Sequence, residues 1–259
     1  MSGRKLIIQI PCLNEEASLP ITFACLPKTV PGYDCVETLV LDDGSADHTA
    51  AVARDLGATH VLELPHRGLA QTFMTGVRYA LALGAHTVVN LDADNQYNAA
   101  DIATITAPIV AGDGGAAGVV IGERPLRSME RFSPLKLRLH LAGNFILRWL
   151  TGTAVTDAAS GFRALRHDVA CLVDIRSNYT YTVEMLLELS LAGVPITFVP
   201  VRVTCQELRP SRLIKSNAEY LFKTSCIIVR TLARPRRRRC PPYTGQVVRG
   251  DRTLHLENA

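Results

Sequence analysis

The chain has 259 residues, 47% hydrophobic and 20% charged, an ordinary globular composition at a length that buries a core without disulfide staples. That excludes a disulfide mini-scaffold, a collagen-like fibre and a disordered tail protein. A formal net charge of only +4, with four arginines together at Arg236 to Arg239, leaves the rest close to neutral and excludes a global basic field for nucleic acid.

Taken in chain order, Leu6–Ile10 reads as a strand, Glu16–Leu26 as a helix, Val36–Leu41 as a strand and Ala46–Leu56 as a helix. His60–Leu64 is a third strand, followed by a helix over Leu69–Leu83. Thr87–Leu91 is a fourth strand, Ala99–Ala111 a helix and Ala117–Ile121 a fifth strand. Strands separated by single helices predict right-handed βαβ units and a parallel sheet, and their continuous apolar runs predict a sheet covered on both faces. The second half is less regular. Residues 123–135 read as a loop, Leu135–Leu150 as a helix carrying the sole tryptophan, Trp149, and Thr151–Ala159 as a small-residue loop. A short element at Phe162–Leu165, a helix at Tyr181–Ala192, a strand at Ile196–Val203 with Pro200 in or beside it, a loop at Glu207–Arg212 and a helix at Ser216–Leu232 complete the chain. Residues 1–215 read as one catalytic-sized domain and 216–259 as an amphipathic helix with a basic tail.

The N-terminus lacks the long apolar core of a secretory signal, and no window reaches the roughly 18 apolar residues of a membrane span. Seven scattered cysteines form no Cys-x-x-Cys pair, so buried thiols in a reducing cytoplasm are the simplest expectation.

Polar residues gather where the strands end, the side on which open α/β sheets bind ligands. The first strand ends in Pro11-Cys12-Leu13-Asn14-Glu15-Glu16, the second in Asp42-Asp43-Gly44-Ser45, and the third leads to His66-Arg67-Gly68. The fourth ends in Asp92-Ala93-Asp94-Asn95-Gln96, whose two carboxylates share one side of an extended backbone. Hard oxygen donors at that spacing suit Mg²⁺ or Mn²⁺ bridging a diphosphate. The plain alternative for Asp42-Asp43-Gly44-Ser45 is a tight turn with Ser45 or Asp47 capping the next helix. A Gly-x-Gly-x-x-Gly and a Walker sequence are both missing, which argues against a dinucleotide oxidoreductase or a P-loop kinase.

In order and spacing, PCLNEE at 11–16, LDDGSADHT at 41–49, HRGLAQTFMTGVRYA at 66–80, LDADNQYNAADI at 91–102, IGER at 121–124 and DAASGFRALR at 157–166 resemble the family 2 glycosyltransferases, especially the dolichyl- or polyprenyl-phosphate mannose and glucose synthases. The resemblance implies an α/β, Rossmann-like GT-A fold: a mostly parallel central sheet flanked by helices, with a C-terminal helical extension. It implies that Pro11, Asn14 and Glu15 line a nucleotide pocket, that Asp43 binds the base or ribose, and that the backbone at Gly68 approaches the nucleotide. Cys12 stands where the family often has tyrosine. Asp92 and Ala93 would sit at the ribose, with Asp92, Asp94 and Gln96 around a Mg²⁺ or Mn²⁺ ion. Arg124 would lie near an acceptor phosphate, although Glu123 replaces the family's serine. Lys136, Arg138, Arg209 and Arg212 are the further acceptor-side cations, and Arg209-Pro210-Ser211-Arg212 departs from the usual Gly-x-Ser-Lys. Arg163 and Arg166 read equally well as active-site residues and as a solvated face.

The reaction so implied moves a hexose from a UDP- or GDP-sugar with inversion. A phosphate acceptor is already anionic and needs only cations to place it, whereas a hydroxyl acceptor needs a carboxylate base, for which Asp157 and Glu184 are the candidates. Three readings stay open: a polyprenyl-phosphate glycosyltransferase, an inverting enzyme using a small soluble hydroxyl acceptor, and a non-catalytic nucleotide-binding module at membranes. The last helix with its arginine tail reads either as a peripheral membrane contact or as a core-packed helix with a solvated tail.

Overall fold

The computed structural model describes residues 3–111, 117–126, 134–204 and 217–234. Seven strands form one sheet in the order β3-β2-β1-β4-β6-β5-β7: β1 Lys5–Cys12, β2 Cys35–Asp42, β3 His60–Glu63, β4 Thr87–Asn90, β5 Val119–Glu123, β6 Arg163–Arg166 and β7 Ile196–Pro200. All pairings are parallel except those of β6, which runs against both β4 and β5. Among the described residues eight helices flank it: α1 Leu19–Ala24, α2 Thr49–Asp55, α3 Leu69–Ala82, α4 Ile102–Val110 with a 3₁₀ turn before it, α5 Pro134–Thr151, α6 His167–Ala170, α7 Thr182–Leu191 and α8 Asn217–Leu232.

The continuous apolar strands do what their composition predicts. Alternation along β1 sends Leu6, Ile8 and Ile10 into one core layer with Val40, Ile102 and Ile105, and Ile7 into another with Leu39, Leu41 and Tyr79. A third cluster, around Phe73, Tyr181, Met185 and Leu187, fills the space under α3, α6 and α7.

Two helices begin later than their periodicity predicts, because their first residues are used in loops. Asn14 takes a left-handed φ of 52°, and Ser18 and Leu19 turn back onto the Glu15 carbonyl at 3.1 and 3.0 Å, so α1 starts only at Leu19. Ala46–His48 cross to the β1 loop, and α2 starts at Thr49, whose N–H is taken by Asp47 Oδ1 at 3.0 Å. The cysteines also depart from expectation. Cys12 is buried, but Cys25 and Cys35 are exposed, and none described is in a disulfide. The segment around Glu207–Arg212 and the arginine tail lie outside the described residues, as do Arg209 and Arg212.

Helix α8 packs on α7, burying Ile227 and Thr231 and exposing Leu221, Phe222, Val229 and Leu232. No helix among the described residues is long and apolar enough to cross a membrane.

Candidate active site

The carboxyl ends of β2, β1 and β4 lie side by side, and a dense hydrogen-bond lattice ties their loops together. The Asn14 N–H donates to Ser45 Oγ at 2.8 Å, and Asn14 Oδ1 accepts from the Ala46 N–H at 2.7 Å. The Glu15 N–H donates to Thr49 Oγ1 at 2.8 Å, and its buried carboxylate accepts from the Ser18 hydroxyl. Pro11 is buried within β1 itself, opposite Leu41. Asp43 is also buried, and its two oxygens accept from the Arg67 N–H at 2.8 Å and the Gly68 N–H at 3.0 Å, with His66 Nδ1 2.9 Å from Oδ2. Asp43 therefore fixes the start of α3. Gly68 is required there, since its φ of 87° is a conformation that residues with a Cβ rarely adopt. The turn alternative also survives in part, as Asp42 Oδ1 accepts from the Ser45 N–H at 2.9 Å.

Beyond β4 the chain turns sharply. Asn95, at a left-handed φ of 59°, is locked by a 2.7 Å bond from Thr22 Oγ1 and by its own amide on the Ser18 carbonyl. The turn leaves Asp92 and Asp94 half-buried with buried Ala93 between them, while the Gln96 N–H donates to Asp94 Oδ1 at 3.1 Å. Among the described residues neither carboxylate forms an ion pair. Burial, then repulsion from Asp94, pushes Asp92 up to about 7 against the pull of Arg124, and burial likewise raises Asp94. Two like charges forced together with no protein cation in contact form a donor set that a hard divalent ion would relieve. No third His, Cys, Asp or Glu among the described residues joins them.

Asp92 is held from below. Asn90 Nδ2 donates to the Gly161 carbonyl at 3.0 Å and Tyr181 Oη at 2.8 Å and lies 3.4 Å from Asp92 Oδ1, while Asn90 Oδ1 accepts from Gln9 Nε2 at 3.0 Å. A Cβ on Gly161 would come within 2.3 Å of Asp92 Oδ2, so the 157–162 loop lies directly on that carboxylate. The sequence reading missed Asn90 and Gln9. Their signal was a polar residue inside an otherwise apolar strand.

Opposite stands Arg124, at the end of β5. Its Nε donates to Asp157 Oδ2 at 2.7 Å and its Nη2 to Oδ1 at 2.9 Å, a bidentate pair in which Asp157 is wholly buried. His140 of α5 places Nε2 3.2 Å from the same carboxylate. Burial works to raise the Asp157 pKa, but the Arg124 charge and hydrogen bonds, aided by His140, hold it well below the usual carboxylate range. So acidic and so fully engaged a carboxylate makes a poor general base. Glu184 is engaged as well. It is fully buried and accepts from the Arg176 and Ser177 N–H groups, both at 3.0 Å, and from Arg234.

Arg163 is neither a solvated residue nor a ligand-facing one. Wholly buried, it donates from Nε to the Ser160 carbonyl, from Nη1 to Thr182 and from Nη2 to Ala158 at 2.7–2.8 Å, and its guanidinium sits 5.8 Å from the Tyr181 ring centroid. Arg166 pairs with Asp168 at the surface, with Nε 2.6 Å from Oδ1. On α5, Lys136 is half-buried on the same side as His140, one turn on, whereas Arg138 is exposed on the opposite face.

The model of the family described as glycosyl transferase family 2 matches residues 7–172. The polyprenol monophosphomannose synthase of Mycolicibacterium smegmatis is 27% identical over 235 residues, 86% of this chain and 86% of that protein. The undecaprenyl-phosphate mannosyltransferase of Micrococcus luteus is 29% identical over 220 residues, 81% of this chain and 87% of that protein. A crystal structure of glucosyl-3-phosphoglycerate synthase from Mycobacterium tuberculosis, in complex with Mn²⁺ and uridine-diphosphate-glucose, overlaps 88% of this chain and 78% of its own at a TM-score of 0.64 and 22% identity. The sheet order and the flanking helices are those of the GT-A fold.

Proposed function

The chain belongs to glycosyl transferase family 2, and from that premise we propose that it transfers a hexose from a nucleoside-diphosphate sugar to a polyprenyl phosphate, with inversion at the anomeric carbon. The relatives named for polyprenol and undecaprenyl-phosphate mannosyl transfer support the acceptor class. The observation that carries the reading is the state of the carboxylates: Asp157 is neutralised by Arg124, and Glu184 is saturated by backbone donors and Arg234. A hydroxyl acceptor would need a carboxylate base, and these two candidates are already engaged. A phosphate oxygen needs none.

In this reading the loops at the ends of β1 and β2, with Asn14, Glu15 and Asp43 fixing their shape and the Gly68 backbone beside them, hold the nucleotide. Asp92 and Asp94, with Gln96 on the same turn, hold Mg²⁺ or Mn²⁺. The bound ion supplies positive charge where the departing diphosphate becomes more anionic. Arg124, held rigid by Asp157, faces that site and places the acceptor phosphate in line with the anomeric carbon, with Lys136, Arg209 and Arg212 as further cations. Because that acceptor carries a polyprenyl chain, the reaction takes place at a bilayer surface.

The test is transfer of labelled hexose from a panel of UDP- and GDP-sugars to a short polyprenyl phosphate, with Mn²⁺ or with EDTA. Labelled lipid product that needs the metal supports the reading. Donor turnover onto a small hydroxyl acceptor alone would overturn it.

A further inference from the structure

Glu184, in the first turn of α7, joins parts of the chain that are distant in sequence. Its carboxylate has no exposed surface. It accepts from the Arg176 and Ser177 N–H groups, both at 3.0 Å, and from Arg234 at the end of α8. Among the described residues, removing that guanidinium would leave a buried charge with amide partners alone. The loop that supplies the amides, residues 174–180, is held by α8 a second time. Lys223 places Nζ 4.7 Å from the Tyr179 ring centroid, and the Tyr179 N–H is tied back to Ser177 Oγ at 3.0 Å. Where α8 sits therefore helps to set where this loop sits.

The far side of the loop lies on the start of α3. Gln71 Nε2 donates to the Ser177 carbonyl at 3.2 Å, and a Cβ on Gly68 would come within 3.2 Å of the Asn178 carbonyl oxygen. Gly68 is the residue whose N–H is held by Asp43 at 3.0 Å. Contacts thus run in series from Arg234 to Glu184, on to the backbone of 176–178, and from there to the first turn of α3. Tyr181, the next support along the chain, is pinned separately. It stacks on Phe73 at 3.9 Å and donates to the Gly161 carbonyl at 3.1 Å, so the groups beneath Asp92 do not depend on Arg234. We infer that the docking of α8 sets the affinity of the site for its nucleotide, with Arg234 and Glu184 as positioning residues that act on Gly68 through the 176–178 backbone. The inference rests on the reading above that the nucleotide lies beside Gly68.

The full chain and its Arg234→Gln and Arg234→Lys variants are titrated by calorimetry with UDP and with GDP, each with Mn²⁺, and assayed for transfer. Arg234→Gln should weaken nucleotide binding and raise the donor KM by about tenfold, the size of an ordinary coupling between two sites. Its kcat at saturating donor should stay within about twofold, because the lost interaction serves binding and not the chemical step. Arg234→Lys keeps the charge and should recover most of the affinity. Coupling is reciprocal, so bound nucleotide should slow hydrogen exchange at the α8 amides of the wild type and not of Arg234→Gln. A merely structural pair would give the opposite split: a lower kcat from lost folded protein, with KM unchanged. That split, or equal nucleotide affinity in wild type and Arg234→Gln, would overturn the inference and leave the reaction standing. A wild-type protein that binds neither UDP nor GDP with Mn²⁺ would instead overturn the nucleotide reading, and the inference with it.

Discussion

Replacing Asp157 by asparagine separates a carboxylate that handles a proton from one that holds an arginine. The side chain is wholly buried and offers its two oxygens to Arg124 at 2.7 and 2.9 Å. Asparagine keeps the shape and one acceptor, but its amide N–H₂ meets guanidinium donors, and the Arg124 charge remains inside without a counter-ion. Removing one member of a buried ion pair typically costs about 3–5 kcal/mol, and the acceptor that survives places Asp157→Asn near the lower end, about 3 kcal/mol. For a domain of this size that lowers Tm by roughly 6–12 °C, measured by differential scanning calorimetry at pH 7. The difference has a pH signature. The Asp157 pKa is depressed in the folded protein, so the stability it contributes is fully present above the unfolded value near about 4 and is lost as pH falls toward the folded value. The gap between wild type and variant should therefore stay constant from about pH 5 to 8 and close below about pH 4. Transfer should fall too, because Arg124 is loosened, and the fall should not depend on pH in the neutral range. An Asp157→Asn protein with wild-type Tm and abolished transfer would refute this reasoning and return Asp157 to the role of base.

Asp94→Ala should reduce transfer by at least about a hundredfold, as expected for a group that steadies developing charge, while Tm stays level or rises because repulsion on Asp92 is relieved; a marked loss of stability would contradict this. With Asp92 pushed up to about 7, Mn²⁺ binding followed by electron paramagnetic resonance should weaken as pH falls through that value, since a ligating carboxylate must first lose its proton; affinity unchanged from about pH 8 to 5 would count against Asp92 as a ligand. Gly161→Ala puts a methyl 2.3 Å from Asp92 Oδ2, so metal affinity should drop sharply, with only about 1–3 kcal/mol lost in denaturant unfolding.

Much of the first half was legible because its rules are local. A buried parallel strand must be continuously apolar, and the first polar residues after it mark where it leaves the core, which is how Asn14, Asp43, Asp92 and Asp94 announce themselves. The second half follows longer-range rules. Four residues at 163–166 carry no period by which to read direction, so nothing local shows that β6 runs antiparallel. An arginine in a run of small and polar residues reads as surface, and only the three carbonyls gathered from 158, 160 and 182 explain why Arg163 is buried. The leucines at 135, 137, 139 and 141 alternate with period two, and on a helix that spacing scatters them around the axis. Leu135 and Leu141 consequently face outward while Leu147 is buried. At Asp157 and Glu184 the sequence shows a carboxylate without showing the partners that engage it.

The reversed strand has an outcome for how such a site can vary. At the β1, β2 and β4 ends the chain is leaving the sheet, and each loop is followed by a helix that must repack if the loop changes length. At β6 the chain is entering, with Arg163 level with Asn90 and Ile121, so the segment from Gly152 to Phe162 reaches the same edge from the other direction. Its length is bounded by α5 before it and by the Arg163 clamp after it. Insertions there would reshape one side of the cleft while the strands beneath Asp92 and Asp94 keep their register. A single backward strand thus gives the protein one wall that can be rewritten independently of the other.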